Sequence, residues 1–279
     1  MKVLVTGVSG QLGFDVMREL LARGIEAKGA SRSDFSLTDF AAMRCFVEAH
    51  RPTAIIHCAA YTAVDKAEDE PELCREVNAA ATGELARLAK EIGAKFLYIS
   101  TDYVFPGTGE GFYEPEDEKA PCNVYGESKL LGEEAAKKEI DELFIVRISW
   151  VFGENGKNFI KTMLRLAETH EELSVVGDQI GSPTYTRDLA RLLADMIVTE
   201  KYGVYHATNE GTCSWAELAA EALRCAGKKT RVKAIKTEEY PTKAKRPKNS
   251  RLSKKCLDDA GFSRLPDWRD AVARYVELI

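Results

Sequence analysis

Tyr125 and Lys129 stand four residues apart in the string Tyr125-Gly126-Glu127-Ser128-Lys129. On a helix, positions i and i+4 share one face, so a phenol and an ammonium can point into one cleft. An ammonium beside a phenol favours the phenolate and draws its pKa down from about 10. Such a phenol can give a proton to a ketone as hydride arrives, or take one in the reverse direction. The pair alone is a common coincidence. It gains weight from the preceding run Ser100-Thr101-Asp102-Tyr103-Val104-Phe105, where Thr101 falls at the expected carboxyl end of a strand. Its hydroxyl could polarise a carbonyl, although Thr101 and Asp102 by themselves also read as a polar turn.

A second constellation opens the chain. Gly7, Gly10 and Gly13 form G-x-x-G-x-x-G between an apolar run and an amphipathic one. Glycine is needed where a turn is tight and where backbone approaches a pyrophosphate closely, and the following helix N-terminus offers free N–H groups. The next strand end normally carries an acidic residue when the ribose 2′-hydroxyl of NAD is bound. Here it reads Gly29-Ala30-Ser31-Arg32-Ser33-Asp34. Arg32 can pair bidentately with a 2′-phosphate and Ser31 can add a hydrogen bond, so NADPH is the expected cofactor, with NADH as the lesser alternative.

Holding these groups together requires a scaffold, and the hydrophobic pattern supplies one. Lys2 to Thr6, Ile25 to Ala30, Ala54 to Cys58, Lys95 to Ser100 and Phe144 to Ile148 read as strands. Between them Gln11 to Arg23, Phe40 to His50, Leu73 to Ile92 and Val124 to Glu139 read as helices. That alternation predicts an α/β fold of the Rossmann type, a doubly wound parallel sheet with ligands beyond the carboxyl ends of its strands. After Trp150 the rhythm loosens. Phe159 to Thr169, Thr186 to Val198 and Ser214 to Ala226 read as helices, the last with the Ser214/Glu217 spacing of a capping box. Leu173 to Val176 and Val204 to Ala207 read as short strands. The expected division is a dinucleotide-binding domain over 1–149 plus about 178–205, and a smaller C-terminal α/β substrate-binding lobe over about 150–177 and 206–279.

Composition narrows the class. With 279 residues, 45% of them hydrophobic and 30% charged, the chain can bury a core, which excludes disorder as its main state. No run approaches the length of a membrane span, and the N-terminal run meets glycines too soon for a secretory signal. Seven cysteines without a C-x-x-C pair fit neither a zinc site nor a disulfide framework, and suggest a reduced cytoplasm.

Together Gly7, Gly10, Gly13, Thr101, Tyr125 and Lys129 resemble the extended short-chain dehydrogenase/reductase superfamily. The strings CAAYTAVDKAE (58–68), STDYVF (100–105), YGESKLLGE (125–133), RISWVFG (147–153), NFIKTMLRLA (158–167), DQIGSPTYTRDLA (178–190) and KRPKNSRL (245–252) are similar to those of the dTDP-4-dehydrorhamnose reductases within it. The resemblance covers essentially the whole chain. It implies reduction of a dTDP-4-keto-6-deoxy-L-sugar, with Tyr125 as proton donor, Thr101 orienting the carbonyl and Lys129 bridging Tyr125 and the nicotinamide ribose. It also implies that Gly10, Gln11 and Leu12 contact the pyrophosphate, that Asp34 and Phe35 meet the adenosine end, and that Ala59, Ala60 and Tyr61 line the path to the nicotinamide. Thr101, Asp102, Tyr125 and Trp150 would hold the nucleotide sugar. The acidic residues of the metal-linked dimer known for some relatives have no match here, so no metal is expected. A homodimer is compatible with the sequence, which does not fix the oligomeric state. Superfamily members that eliminate water follow the threonine with Asp-Glu; here Tyr103 follows Asp102, which favours reduction over dehydration.

Residues 228–255 hold twelve Lys or Arg and two acids in a chain of net charge −5. A nucleic-acid surface fits poorly, since only Tyr240 interleaves as a stacking aromatic. Two readings stay open: a solvated basic face, or a field drawing in a diphosphate with Arg246 or Arg251 as local partner. Two functional alternatives also stand beside reduction of this sugar. One is a reductase or epimerase of another nucleotide ketosugar; the other is a non-catalytic cofactor-binding subunit resembling the regulatory subunit of methionine adenosyltransferase.

Overall fold

A computed structural model describes residues 1–279. The first half runs β1 (Lys2–Thr6), α1 (Gln11–Ala22), β2 (Glu26–Ala30), α2 (Phe40–His50), β3 (Ala54–His57), α3 (Val64–Ala67) and α4 (Pro71–Arg75). A π turn (Glu76–Ala80) leads into α5 (Ala81–Glu91), followed by β4 (Lys95–Thr101), α6 (Val124–Glu139) and β5 (Leu143–Ile148). The second half contains β6 (Val151–Phe152), α7 (Phe159–Leu166), β7 (Glu172–Val176), β8 (Ile180–Gly181), β9 (Thr184–Tyr185), α8 (Thr186–Ile197) and β10 (Gly203–His206). It ends with β11 (Asn209–Glu210), β12 (Cys213–Ser214), α9 (Trp215–Cys225), β13 (Arg231–Ile235), β14 (Asn249–Ser250), α10 (Lys255–Asp259), β15 (Leu265–Asp267) and α11 (Trp268–Val276).

Six strands form one parallel sheet in the order β10-β5-β4-β3-β1-β2. The order reverses between β1 and β3, the place where α/β sheets open a crevice for a ligand. The central strands β1, β3, β4 and β5 are buried on both faces and read as largely apolar runs, whereas the edge strand β2 (EAKGA) is half exposed. One face packs Val3, Val5, Ile56, Leu97 and Val146 against α1 and α8. The other packs Leu4, Ile55, Phe96 and Tyr98 against α2, α5 and α6. A separate aromatic core of Phe152, Tyr185, Trp268 and Tyr275 organises the second lobe. No helix is long and apolar enough to cross a membrane.

The predicted single helix over 73–92 is interrupted by the π turn, because Asn78 is drawn into contacts across the sheet face. Its side chain accepts from the Tyr61 N–H at 2.8 Å and donates to the Ser128 hydroxyl at 2.9 Å. Its carbonyl accepts from Thr82 and Tyr98 hydroxyls at 2.8 and 3.2 Å. The capping box at Ser214 and Glu217 is formed as its spacing predicts. Three C-terminal elements, α10, β15 and α11, lie outside the sequence expectations, and β13 emerges from the basic stretch as a strand paired with β7.

Candidate active site

The turn after β1 is shaped by what a side chain would strike. Gly7 has φ +72°, and a Cβ there would lie 2.8 Å from the Ala59 backbone. A Cβ on Gly13 would meet the carbonyl of Gly7, with its carbon at 2.7 Å, so α1 can approach β1 only with glycine at that position. Gly10 precedes α1 and provides no side-chain cap, which leaves the first N–H groups of the helix, those of Gln11 and Leu12 among them, free for an anion. The Leu12 side chain itself belongs to the core. This is a cradle that fits a pyrophosphate.

At the end of β2 the acid is already engaged. Asp34 accepts from the Ser31 N–H at 2.8 Å and its hydroxyl at 2.9 Å, and these bonds hold its carboxyl below the usual range. Phe35 is buried against Phe46, with ring centroids 5.3 Å apart. Asp34 and Phe35 therefore build the turn where the resemblance puts the adenosine end. Arg32 is exposed and makes no ion pair, as a residue reserved for a phosphate would be.

Thr101 ends β4 and lies beside Tyr125 of α6, with Lys129 one turn further along the same helix. Asn123 caps α6 by accepting from the Gly126 N–H at 2.8 Å, which starts the helix at the point that presents Tyr125. The Thr101 hydroxyl bonds Asp102 at 3.0 Å and sits close enough to the Tyr125 phenol to pull its pKa down against burial. Asp102 is 3% exposed, its Oδ2 has no partner, and burial pushes its carboxyl up to about 6.

The ionisation of Tyr125 departs from what its spacing to Lys129 predicts. Burial pushes its phenol above the ordinary tyrosine range, and the charges acting most on it are those of Asp102 and Tyr103. Lys129 points elsewhere. Its ammonium donates to the Ile99 carbonyl at 2.7 Å and sits 4.1 Å from the Tyr98 ring centroid. Burial without a carboxylate partner brings it down to about 7, against a raising influence from Glu133 one turn further on. The shared helix face is real, but the lysine reaches past the phenol towards the sheet.

Several supporting residues carry no motif of their own. Glu133 forms a fully buried pair with Arg147 at 2.7 Å and accepts from Ser100 at 2.6 Å, which ties α6 to the strand end beside Thr101. Its one signal in the sequence is the continuation of the Tyr125–Lys129 spacing by four more residues. Asn78 joins Tyr61 to Ser128, and only its three-dimensional surroundings reveal that. Ala59 donates its N–H to Thr6 at 3.2 Å. Ala60 follows on the same backbone, and the Tyr61 hydroxyl donates to Glu70 at 2.8 Å.

On the opposite wall Trp150 has φ +50°, the left-handed region in which a bulky side chain is costly, about 1–3 kcal/mol. Its indole stacks on Trp215 at 3.8 Å and lies over Gly181. Arg246 pairs with Asp65 at 2.5 Å and reaches the Tyr103 hydroxyl at 3.4 Å, which places it at the cleft. Arg251 instead bonds Asn249 at 2.9 Å. The basic stretch is less of a field than its composition implies. Lys243 pairs with Asp69, Lys248 with Asp178 and Glu238 at 3.2 and 2.9 Å, and Arg231 with Glu172 at 3.6 Å.

Comparison with known proteins places this geometry in context. The family described as RmlD substrate binding domain matches residues 1–279. The chain is 40% identical to the spore coat polysaccharide biosynthesis protein SpsK of Bacillus subtilis, over 99% of this chain and 97% of that protein. It is 40% identical to the dTDP-4-dehydrorhamnose reductase of Escherichia coli K12, over 98% of this chain and 96% of the relative. The crystal structure of dTDP-4-dehydrorhamnose reductase from Bacillus anthracis in complex with NADP superposes with a TM-score of 0.97 at 41% identity, covering 100% of this chain and 99% of that one.

Proposed function

Since this chain belongs to the RmlD substrate binding domain family, we propose that it is a dTDP-4-dehydrorhamnose reductase, an NADPH-dependent oxidoreductase able to use NADH less well. The reaction is reduction of the C4 ketone of dTDP-4-dehydro-6-deoxy-L-mannose to the alcohol of dTDP-L-rhamnose. The observation that carries this reading is the placing of Thr101 and Tyr125 together at the end of β4, in a sheet whose first strand ends in an uncapped glycine turn.

A reduced nicotinamide, when bound, supplies the hydride. The chain's own residues do the rest. The Thr101 hydroxyl and the Tyr125 phenol fix the ketone oxygen, and Tyr125 releases its proton as that oxygen gains charge. A phenol kept protonated by burial is suited to the role of acid. Lys129 lacks a charged partner in the ligand-free protein, so ribose hydroxyls arriving beside it give it acceptors and raise its pKa. Gly7, Gly10, Gln11, Leu12 and Gly13 cradle the pyrophosphate, Ser31 and Arg32 receive the 2′-phosphate, with Asp34 and Phe35 holding their turn. Ala59, Ala60 and Tyr61 flank the nicotinamide. Asp102 with its free Oδ2 holds a sugar hydroxyl, while Trp150 and Arg246 bind the nucleotide sugar. The proposed division keeps 1–149 and about 178–205 as the cofactor-binding part and the remainder as the substrate lobe.

The direct test follows NADPH absorbance with the 4-keto sugar nucleotide. Stoichiometric oxidation with dTDP-L-rhamnose as product is expected. Cofactor binding without oxidation would favour a regulatory subunit, and turnover only with another ketosugar would reassign the substrate.

A further inference from the structure

Residues 153–158, between β6 and α7, form a strap that leaves the substrate lobe and fastens onto the glycine turn. Asn155 donates its side-chain N–H groups to the carbonyls of Ser9 and Gly10 at 2.9 and 3.1 Å. Asn158 reaches the Gln11 side chain at 3.1 Å, the Gly153 carbonyl at 2.9 Å and the Tyr275 hydroxyl at 2.7 Å, while its own oxygen caps α7. Glu154 is clamped by Arg18 of α1 at 2.9 Å and by Arg187 of α8 at 2.5 Å. Lys161 closes the strap on itself by donating to the carbonyls of Glu154 and Gly156. None of these bonds serves a loop that merely connects two elements. They engage the carbonyls of Ser9 and Gly10; the Gly10 N–H closes the turn on the Gly7 carbonyl at 2.9 Å, and the Gln11 N–H, on the far edge of the peptide whose carbonyl Asn155 holds, belongs to the uncapped first turn of α1.

The strap also continues to the other ligand. It runs directly into Phe159, whose ring packs on Trp215 at 4.7 Å, and Trp215 stacks on Trp150. The glycine turn and the indole platform are thus joined through one short segment, with packed contacts at each step.

We infer that Asn155 is a positioning residue for the cofactor turn, and that the strap makes binding of the dinucleotide and of the sugar nucleotide positively coupled. The inference rests on the proposed placement of the dinucleotide at the glycine turn and of the nucleotide sugar at Trp150. Ordering the turn from one side fixes the strap, and a fixed strap presents Trp215 and Trp150 already set. Linkage requires the effect to be reciprocal: each ligand tightens the other by the same factor.

The test is calorimetric and needs no turnover. NADPH is titrated into the intact protein with and without saturating dTDP, and dTDP with and without saturating NADPH. The expected result is an equal tightening of about 5- to 20-fold in both directions, within the usual span of coupling energies. In Asn155→Ala the factor should fall to within twofold of unity, NADPH alone should bind several-fold more weakly, and dTDP alone should bind as before. Should Asn155→Ala fail to fold, Phe159→Leu cuts the same connection at its far end and should also remove the coupling, with NADPH alone binding normally. If both ligands bind the wild-type protein independently, or if the variants keep the full factor, the inference is wrong and the functional reading survives. If the wild-type protein binds neither NADPH nor dTDP, both fall.

Discussion

Lys129 is a cation in a place that disfavours cations. The unfolded chain would titrate it near 10.4, whereas in the folded, ligand-free protein it is brought down to about 7. Between those values the unfolded state binds the extra proton, so stability should rise with pH across that window. The penalty is complete below pH 7 and gone near pH 10. Lys129→Met should therefore raise the denaturation midpoint at pH 6 to 7 and add progressively less towards pH 10; a gain independent of pH would contradict the burial argument. Tyr125→Phe keeps the ring and loses the proton, so kcat should drop by about 10²- to 10⁴-fold with NADPH affinity near normal, measured by steady-state kinetics and titration. Arg32→Ala should reduce kcat/KM for NADPH by about 10-fold or more and leave that for NADH nearly unchanged, the loss expected of one charge-assisted phosphate contact. Equal losses would show that Arg32 does not read the 2′-phosphate. Residue types and spacing, together with the resemblance, are what single out Thr101, Tyr125 and Lys129 in the sequence. Their ionisation is not legible there, because burial and the direction of a side chain arise from segments far apart along the chain: Ile99 and Tyr98 claim Lys129, and Asp102 faces Tyr125.

At the scale of elements, α6, which carries Tyr125 and Lys129, is seated by shape as much as by bonds. A Cβ on Gly132 would strike the Asn78 carbonyl and the Tyr98 hydroxyl, with the Tyr98 Cζ at 3.0 Å. Gly132→Ala should lower stability by about 1–3 kcal/mol in denaturant titrations, as overpacking does, and reduce kcat by displacing Tyr125. A fully active, unshifted variant would mean that the helix is free to move. The strand and helix alternation of the first half is readable because the buried central strands appear as largely apolar runs. The π turn is not, since nothing local marks it; Asn78 is pulled into place by Tyr61 and Ser128. Helix α11 does carry a periodic signal. Trp268, Ala271, Val272 and Tyr275 follow the i, i+3, i+4, i+7 pattern and are all buried, but the run is short and acquires its partner only when α9 packs beside it.

The whole molecule is more interwoven than a two-part description suggests. The sheet takes β10 from the second half, and the core on one sheet face includes α8 together with Leu257, Phe262 and Leu265 near the chain's end. All three tryptophans, Trp150, Trp215 and Trp268, lie in the second half, whereas backbone circular dichroism samples the entire chain. Shared core residues predict one cooperative transition, with the two signals superimposing in guanidinium. Separate midpoints would show that the lobe melts independently. Charge behaves similarly at this scale: acids from α3, β7 and the 178 turn come to meet the basic stretch, and a sequence window cannot register such pairings.

The same three indoles have an optical consequence. Trp150 and Trp215 are stacked on one another, and a reduced nicotinamide absorbs where indoles emit. Excitation absorbed by the indoles would pass to a dihydronicotinamide bound as proposed and leave as its emission. If the proposed function holds, the protein would then report its own loading and hydride loss without any attached dye.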